Sequence, residues 1–134
     1  MPDERYQPLV QLIHNRAGDA FRGAVRYDAD DWEPLYLRDD VATENLKDAL
    51  PTITDRARAN ESIVPPEEYG RLGERQATVE LHDRAAVLHF KESEHGGIIV
   101  SLDRDVAQGL GQFVNSCDAV LDGREPGGSA SGLR

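Results

Sequence analysis

The sequence contains almost no lysine: of its 15 basic residues only Lys47 and Lys91 are lysine, and the other 13 are arginine. Its 25 acidic residues, 14 Asp and 11 Glu, leave a formal net charge of −10 on 134 residues. At molar ionic strength the Debye length falls to about 3 Å, so concentrated salt screens the mutual repulsion of these carboxylates. We therefore expect a protein adapted to high salt.

Cysteine occurs once, at Cys117, which excludes an intramolecular disulfide and a zinc site made of several cysteines. Its apolar, helix-patterned surroundings predict a small buried hydrophobic residue rather than a reactive thiol. No stretch approaches the roughly 18 apolar residues of a membrane span, and the polar start MPDERYQP is unlike a signal peptide. We therefore expect a cytoplasmic protein without membrane contact.

The motifs of common catalytic sites are also missing. There is no P-loop, no nucleophile elbow around a serine, and no HExxH or CxxC pattern, so we expect no cofactor and no enzymatic activity. Four arginines gather between positions 56 and 75, but five interspersed acidic residues balance them. Nucleic-acid binding is therefore not expected of this acidic chain.

Hydrophobic periodicity predicts a helix and then a hairpin in the first third of the chain. The helix has Pro8 in its first turn and ends at Gly18. The first strand, FRGAVRYD, has the alternation of a half-buried strand, with Phe21, Gly23, Val25 and Tyr27 on one face. After a turn at residues 28–31, WEPLYLRD forms the second strand, with Leu35 and Leu37 sharing one face. Pro34 places this strand at a sheet edge or in a bulge.

The remaining elements are a helix, three strands and a final helix. Asp40 or Thr43 caps the middle helix, which Pro51 is expected to kink or to split. The strands are QATVELHD, AAVLHFKE and GIIVSL, and the last helix starts at Asp103. That helix carries an apolar stripe of the kind that faces a core: Val106, Leu110, Phe113, Cys117 and Val120 or Leu121. We expect residues 1–122 to form one domain and residues 123–134 to be a disordered polar tail.

The order αββαβββα predicts an α+β domain with a five-stranded antiparallel sheet and helices packed on it. This order resembles that of the roadblock and profilin-like domains, which implies a sheet between the middle helix and the paired terminal helices. The phrases GDAFRGAVRYDADDW, LYLRDDV and IIVSLDRDVA, between Gly18 and Cys117, resemble small haloarchaeal proteins grouped as a family of unknown function. That second resemblance agrees with a high-salt source and implies no catalytic residues.

Two groups of side chains could bind a metal ion. The alternating Asp28, Asp30 and Asp31 could bind Ca²⁺ or Mg²⁺, but the spacing lacks the glycine and distal glutamate of an EF-hand loop, which favours a solvated turn. The four histidines are His14, His82, His89 and His95. We favour surface or hairpin histidines over a metal site, because His82 and His89 share a face only in some strand registers. A metal-dependent hydrolase would need three of His82, His89, His95, Asp83 and Glu94 to converge.

Two surfaces are candidates for protein contacts. Gly109 and Gly111 lack the third glycine of a dinucleotide fingerprint and favour close packing of the last helix against the first helix or a partner. Trp32, Tyr36 and Arg38 are of the residue types that anchor interfaces. The stronger alternative for Arg38 is a local role, in which it forms an ion pair beside a helix cap at Asp40.

These features predict a non-catalytic regulatory or interaction module that pairs with itself or with another protein. By the roadblock-like resemblance its role is that of an adaptor or switch component. The alternative is a small-ligand sensor with a pocket between the sheet and the middle helix. An apolar pocket of roughly 300 Å³ or more with a few polar groups would favour the sensor. A flat two-fold patch containing Trp32 and Tyr36, or Gly109 and Gly111, would favour the dimer.

Overall fold

The computed structural model describes residues 4–123, and within this range the chain forms three helices and five strands. The helices are α1 (Gln7–Ala17), α2 (Glu44–Arg58) and α3 (Gln108–Leu121), and the strands are β1 (Phe21–Tyr27), β2 (Trp32–Leu37), β3 (Thr78–Leu81), β4 (Ala85–Lys91) and β5 (Gly97–Asp103). The order αββαβββα is confirmed. The tail expected to be disordered lies, from position 124 onward, outside the described residues.

The five strands form one antiparallel sheet in the order β2-β1-β5-β4-β3, which confirms the α+β fold. Helix α1 packs on one face, against Ile98, Val100 and Leu102 of β5. Helix α2 lies over the opposite face, to which the alternate β5 residues Ile99 and Ser101 belong. No helix among the described residues is long and apolar enough to cross a membrane.

The main core lies between α1 and the sheet. Its buried residues are Tyr6, Phe21, Ala24, Ile98, Val100 and Leu102, and the α1 residues Leu9, Val10, Ile13 and Ala17 pack against them. The helix has proline in its first turn, as expected. It ends at Gly18, whose φ of 56° is in the left-handed region that favours glycine.

Strand β1 is buried on both faces, so the prediction of a half-buried strand was wrong. Phe21 and Ala24 lie in the core on the α1 side, whereas Val25 and Tyr27 are buried on the α2 side. The pairing register shifts between Phe21 and Gly23 opposite β5, which breaks the simple alternation. The apolar residues on the two faces of β1 are buried because helices cover both faces of the sheet.

Strand β2 is an edge strand with an irregularity at Pro34, as predicted. The register shifts between Ala24 and Val25 on β1, where Val25 pairs with Pro34. Because of this shift, the prediction that Leu35 and Leu37 share a face was wrong. Leu35 packs against the core on the α1 side, whereas Leu37 lines a cavity on the α2 side.

Of the two expected effects of Pro51, a kink or a split, the split was wrong, because α2 is continuous through the proline. The hydroxyl of Thr43, not Asp40, caps it by accepting a hydrogen bond from the backbone N–H of Leu46 at 3.2 Å. Leu50 and Thr54, on either side of the proline, are both buried. Burial on both sides of Pro51 holds the two halves of the helix against the same sheet, which explains why it does not break.

Helix α3 follows Asp103 through a 3-10 turn at Arg104–Ala107, close to its expected start. Its apolar stripe is exposed rather than buried, and the prediction of a buried Cys117 was wrong. The Arg104 guanidinium donates hydrogen bonds to Gly111 O at 3.1 Å and to Asn115 Oδ1 at 2.9 Å. Arg104 therefore contacts the side of α3 that carries Gly111 and Asn115, and the apolar stripe faces solvent.

Candidate functional site

A row of exposed apolar side chains runs along α3 and the turn before it. We call this row, made of Val106, Leu110, Phe113, Cys117 and Leu121, the α3 seam. The exposed fractions are 47% for Val106, 49% for Leu110, 67% for Phe113 and 80% for Leu121. Spacings of three or four residues place these side chains along one side of the helix.

Helix α3 is also nearly free of charge. Its sequence, QGLGQFVNSCDAVL, contains one ionisable acid, Asp118, in a chain with a net charge of −10. An apolar, almost neutral face on a strongly acidic protein can approach another acidic surface with little repulsion. The α3 seam is therefore suited to a protein contact.

The two glycines of α3 have different surroundings. A Cβ on Gly111 would lie 3.2 Å from Arg104 Nε, so this buried glycine permits the close contact with Arg104. A Cβ on Gly109 would meet no heavy atom within 4 Å. Packing within the chain thus accounts for Gly111 and leaves Gly109 open beside the α3 seam.

The candidate interface residues of the first hairpin do not form one exposed patch. The Tyr36 ring packs against Phe21 and His14 on the α1 side, each with ring centroids 4.6 Å apart, and Trp32 is half-buried at the start of β2. The Arg38 guanidinium contacts Asp40 at 2.6 Å and Asp103 at 3.0 Å, and these hydrogen bonds raise the pKa of Arg38. The contacts of Arg38 are those of a local structural role.

A cavity of about 310 Å³, which we call the α2 cavity, lies between α2 and the sheet. Its walls are mainly apolar and include Val25, Leu46, Ile53, Val87 and Ile99. Four side chains with polar groups also line it: Arg22, Glu80, His82 and Ser101. A neighbouring cavity of about 270 Å³ shares Ile53, Val87 and Ile99 with it and reaches His89. The space beneath α2 thus extends along much of the helix.

His89 lies in a buried hydrogen-bond chain. Asn60 Nδ2 donates to His89 Nδ1 at 2.8 Å, and His89 Nε2 donates to Tyr27 Oη at 2.6 Å. Tyr27 Oη in turn lies 3.4 Å from Ala57 O at the end of α2. Burial lowers the pKa of His89 and raises the pKa of Tyr27, so both groups are held neutral.

Close backbone approach makes room for this chain of hydrogen bonds. A Cβ on Gly97 of β5 would lie 2.8 Å from Tyr27 Oη, so a side chain at this position would displace the hydroxyl. Of the two expected settings, surface or hairpin, His89 has the second: it lies in a hairpin strand but is only 8% exposed. The apolar run AAVLHF, typical of a strand covered on both faces, was the available signal for its burial.

The other three histidines lie in separate environments. His14 packs against Phe21, His82 pairs with Glu80 at 3.0 Å in an exposed turn, and His95 Nε2 lies 3.9 Å from the carboxylate of Glu94. Among residues 4–123 no three His, Cys, Asp or Glu side chains are placed to hold a metal ion. The convergence that the metal-dependent hydrolase hypothesis requires is therefore not formed in this part of the chain.

The acidic turn is organised by its first aspartate. Asp28 Oδ1 accepts the backbone N–H groups of Asp30 at 3.0 Å and Asp31 at 2.8 Å, and Asp28 Oδ2 contacts Arg26 at 3.2 Å. The two backbone hydrogen bonds are the main reason why the pKa of Asp28 is lowered. This carboxylate closes the turn between β1 and β2.

Comparison with protein families gives one match. Residues 7–122 match the model of a family described as a domain of unknown function, DUF7522. The matched region begins with the first residue of α1 and ends just after α3. A comparison with curated proteins found no match. The resemblance to a family of unknown function is confirmed, and the chain belongs to the DUF7522 family.

Proposed function

We propose that this protein is a non-catalytic interaction module that pairs with a second copy of itself through the α3 seam. The observation that supports the proposal is the exposure of the seam, in which Phe113 and Leu121 are 67% and 80% exposed. Contiguous apolar side chains on a protein surface mark contact sites, and a central aromatic residue is a frequent anchor of such contacts.

The spacing of the seam favours a second copy as the partner. The seam residues Val106, Leu110, Phe113, Cys117 and Leu121 follow one another at intervals of four, three, four and four residues, and intervals of three and four are those of apolar positions in a two-helix coiled coil. Two copies related by a two-fold axis would present identical seams to each other. Each α3 would bring one carboxylate, Asp118, so few of the charges of two chains of net charge −10 would repel one another where the helices meet.

The wider role that we propose is that of an adaptor or switch component in a high-salt cytoplasm. The sheet order β2-β1-β5-β4-β3 and the flanking helices are compatible with the roadblock-like resemblance from which this role is inferred. The composition, with a net charge of −10 and two lysines, supports the high-salt setting.

Substitution of Phe113 tests the proposed pairing. Phe113→Asp would place a carboxylate of each copy at the centre of the pair, so we expect the dissociation constant in molar salt to rise at least about tenfold. Ile63→Asp is the matched control, because Ile63 is 98% exposed and lies in the loop after α2. Sedimentation velocity over a concentration series measures both variants. Equal association by wild type and Phe113→Asp would rule out the α3 seam.

A small-ligand sensor is a second candidate function, and the α2 cavity is the observation that favours it. Its volume of about 310 Å³ falls at the lower end of the range of ligand pockets, which is roughly 300–1,000 Å³. Its apolar walls with a few polar groups, between the sheet and the middle helix, are what the sensor hypothesis requires. The two functions are compatible, since the α3 seam and the α2 cavity share no residue.

A further inference from the structure

Arg22 brings a positive charge to the α2 cavity. Its Nε donates to Ser101 Oγ at 3.0 Å, and both residues line the cavity. Within residues 4–123, the carboxylate within 4.0 Å of its guanidinium is that of Asp103, whose Oδ1 lies 3.8 Å from Nη1. Asp103 is itself engaged by Arg38, whose nitrogens lie 3.0 and 3.2 Å from its oxygens. The terminal N–H groups of Arg22 therefore retain capacity to bind an anion.

The rest of the cavity suits an apolar group. Its acidic lining residue, Glu80, stands on β3 at the far edge of the sheet from Arg22 and contacts His82 at 3.0 Å. Between these ends the floor is formed by Val25, Val87 and Ile99. The cavity therefore has a positively charged group, Arg22, at one end and an apolar floor beside it.

We propose that the α2 cavity binds a small carboxylic acid with an apolar tail, whose carboxylate contacts Arg22 and whose tail lies between α2 and the sheet. The proposal rests on the ligand-binding function proposed above for the same cavity. A guanidinium can give a carboxylate two parallel charge-assisted hydrogen bonds, and burial of the tail adds a favourable hydrophobic term. The modest volume favours a ligand of the size of octanoate over a long-chain lipid.

Calorimetric titration of the full chain in molar salt tests the proposal, with octanoate as the probe and octanol as the uncharged comparison. We expect octanoate to bind with a stoichiometry of one per chain and more tightly than octanol. Arg22→Met keeps the apolar stem and removes the charge, so octanoate affinity should fall about tenfold or more. Arg84→Met is the matched control, because Arg84 is exposed in the turn between β3 and β4 and does not line the cavity.

The outcomes separate the ligand class from the ligand-binding function. If wild type and Arg22→Met bind octanoate and octanol equally well, the cavity binds ligands but the assignment of a carboxylate to Arg22 is overturned. If neither compound binds wild type, the ligand-binding function fails as well. Intermolecular nuclear Overhauser effects in wild type, from the octanoate chain to the methyl groups of Val25, Val87 and Ile99, give an answer that does not depend on the folding of any variant. Binding without these effects would place octanoate elsewhere and overturn the proposal.

Discussion

Burial sets the protonation of His89 and Tyr27. Removal from water disfavours both the imidazolium and the phenolate, and it is the largest cause of the lowered pKa of His89 and the raised pKa of Tyr27. The nearby charges of Arg75 and Lys91 lower the pKa of His89 further. With Asn60 bound to the second ring nitrogen, the neutral imidazole has a partner for each nitrogen.

This burial predicts a loss of stability in mild acid. The pKa of His89 in the folded protein is below the ordinary value of 6.5, so the unfolded chain takes up more protons as the pH falls. The contribution of His89 to stability is complete above about pH 6.5 and is lost as the pH falls through the folded pKa. We expect the melting temperature, measured by circular dichroism at constant molar salt, to decline between about pH 7 and pH 5.

Two variants show whether His89 causes the decline. His89→Gln should have a lower melting temperature than wild type at every pH, but that temperature should change little between about pH 7 and pH 5. His82→Gln removes an exposed histidine and should keep the wild-type profile. An undiminished acid decline in His89→Gln would show that another group is responsible.

The hydrogen-bond chain around His89 could not be predicted from local sequence. Tyr27 and Asn60 lie 62 and 29 residues from His89 along the chain, and they meet it only after β1, β4 and the end of α2 assemble. The pattern of β4 indicated burial of His89, but it carried no information about its partners. Tertiary register, rather than the residue type, creates this site.

At the scale of single elements, α2 accommodates a proline that its own backbone disfavours. Pro51 provides no N–H for the carbonyl one turn earlier, and its ring crowds that turn. The helix continues because Leu50, Thr54 and Ala57 are buried against the sheet on both sides of the proline. Tertiary packing therefore outweighs local propensity in α2.

Replacement of the proline should stabilise the protein. For Pro51→Ala we expect the free energy of unfolding from urea titration to rise by up to about 3 kcal/mol, because alanine restores the hydrogen bond and removes the clash. The matched control is Pro66→Ala, in the loop between α2 and β3, which should be neutral or slightly destabilising because it frees the unfolded chain. A Pro51→Ala variant no more stable than wild type would contradict this account of α2.

The periodicity of apolar residues predicted which helices and strands exist and in what order. It did not predict which faces of these elements are buried. It located α3 and its apolar stripe, but the same pattern describes a helix that covers its own sheet and one that meets another chain. The contacts of Arg104 with Gly111 and Asn115 leave the stripe of α3 exposed, and they depend on tertiary geometry that the pattern does not contain. The two-sided burial of β1 was missed for a related reason, since alternation does not show which faces helices cover.

At the scale of the whole molecule, acidic charge opposes compactness. Ion pairs such as those of Arg26 with Glu33 and of Arg58 with Asp55 are partly exposed, and such pairs contribute little individually. The formal excess of ten negative charges remains. As salt falls from about 1 M to 0.1 M, the Debye length grows from roughly 3 Å to 10 Å and the repulsion reaches more carboxylates.

The melting temperature should therefore be higher in molar potassium chloride than in 0.1 M salt. Replacement of four loop glutamates by glutamine, at Glu61, Glu67, Glu68 and Glu74, removes four of the ten excess negative charges. The melting temperature of this variant should depend less on salt than that of wild type. Melting curves of the two proteins at both salt concentrations provide the comparison. A wild-type melting temperature that is the same in both salts would show that repulsion does not limit stability.

Isotope-filtered nuclear Overhauser spectroscopy on a mixture of labelled and unlabelled chains in molar salt shows whether two copies meet through the α3 seam. We expect effects between chains that connect the Phe113 ring of one copy with apolar side chains of the seam in the other, such as Leu110. Effects between chains that arise only from other surfaces, or none at concentrations up to the millimolar range, would contradict the proposed pairing.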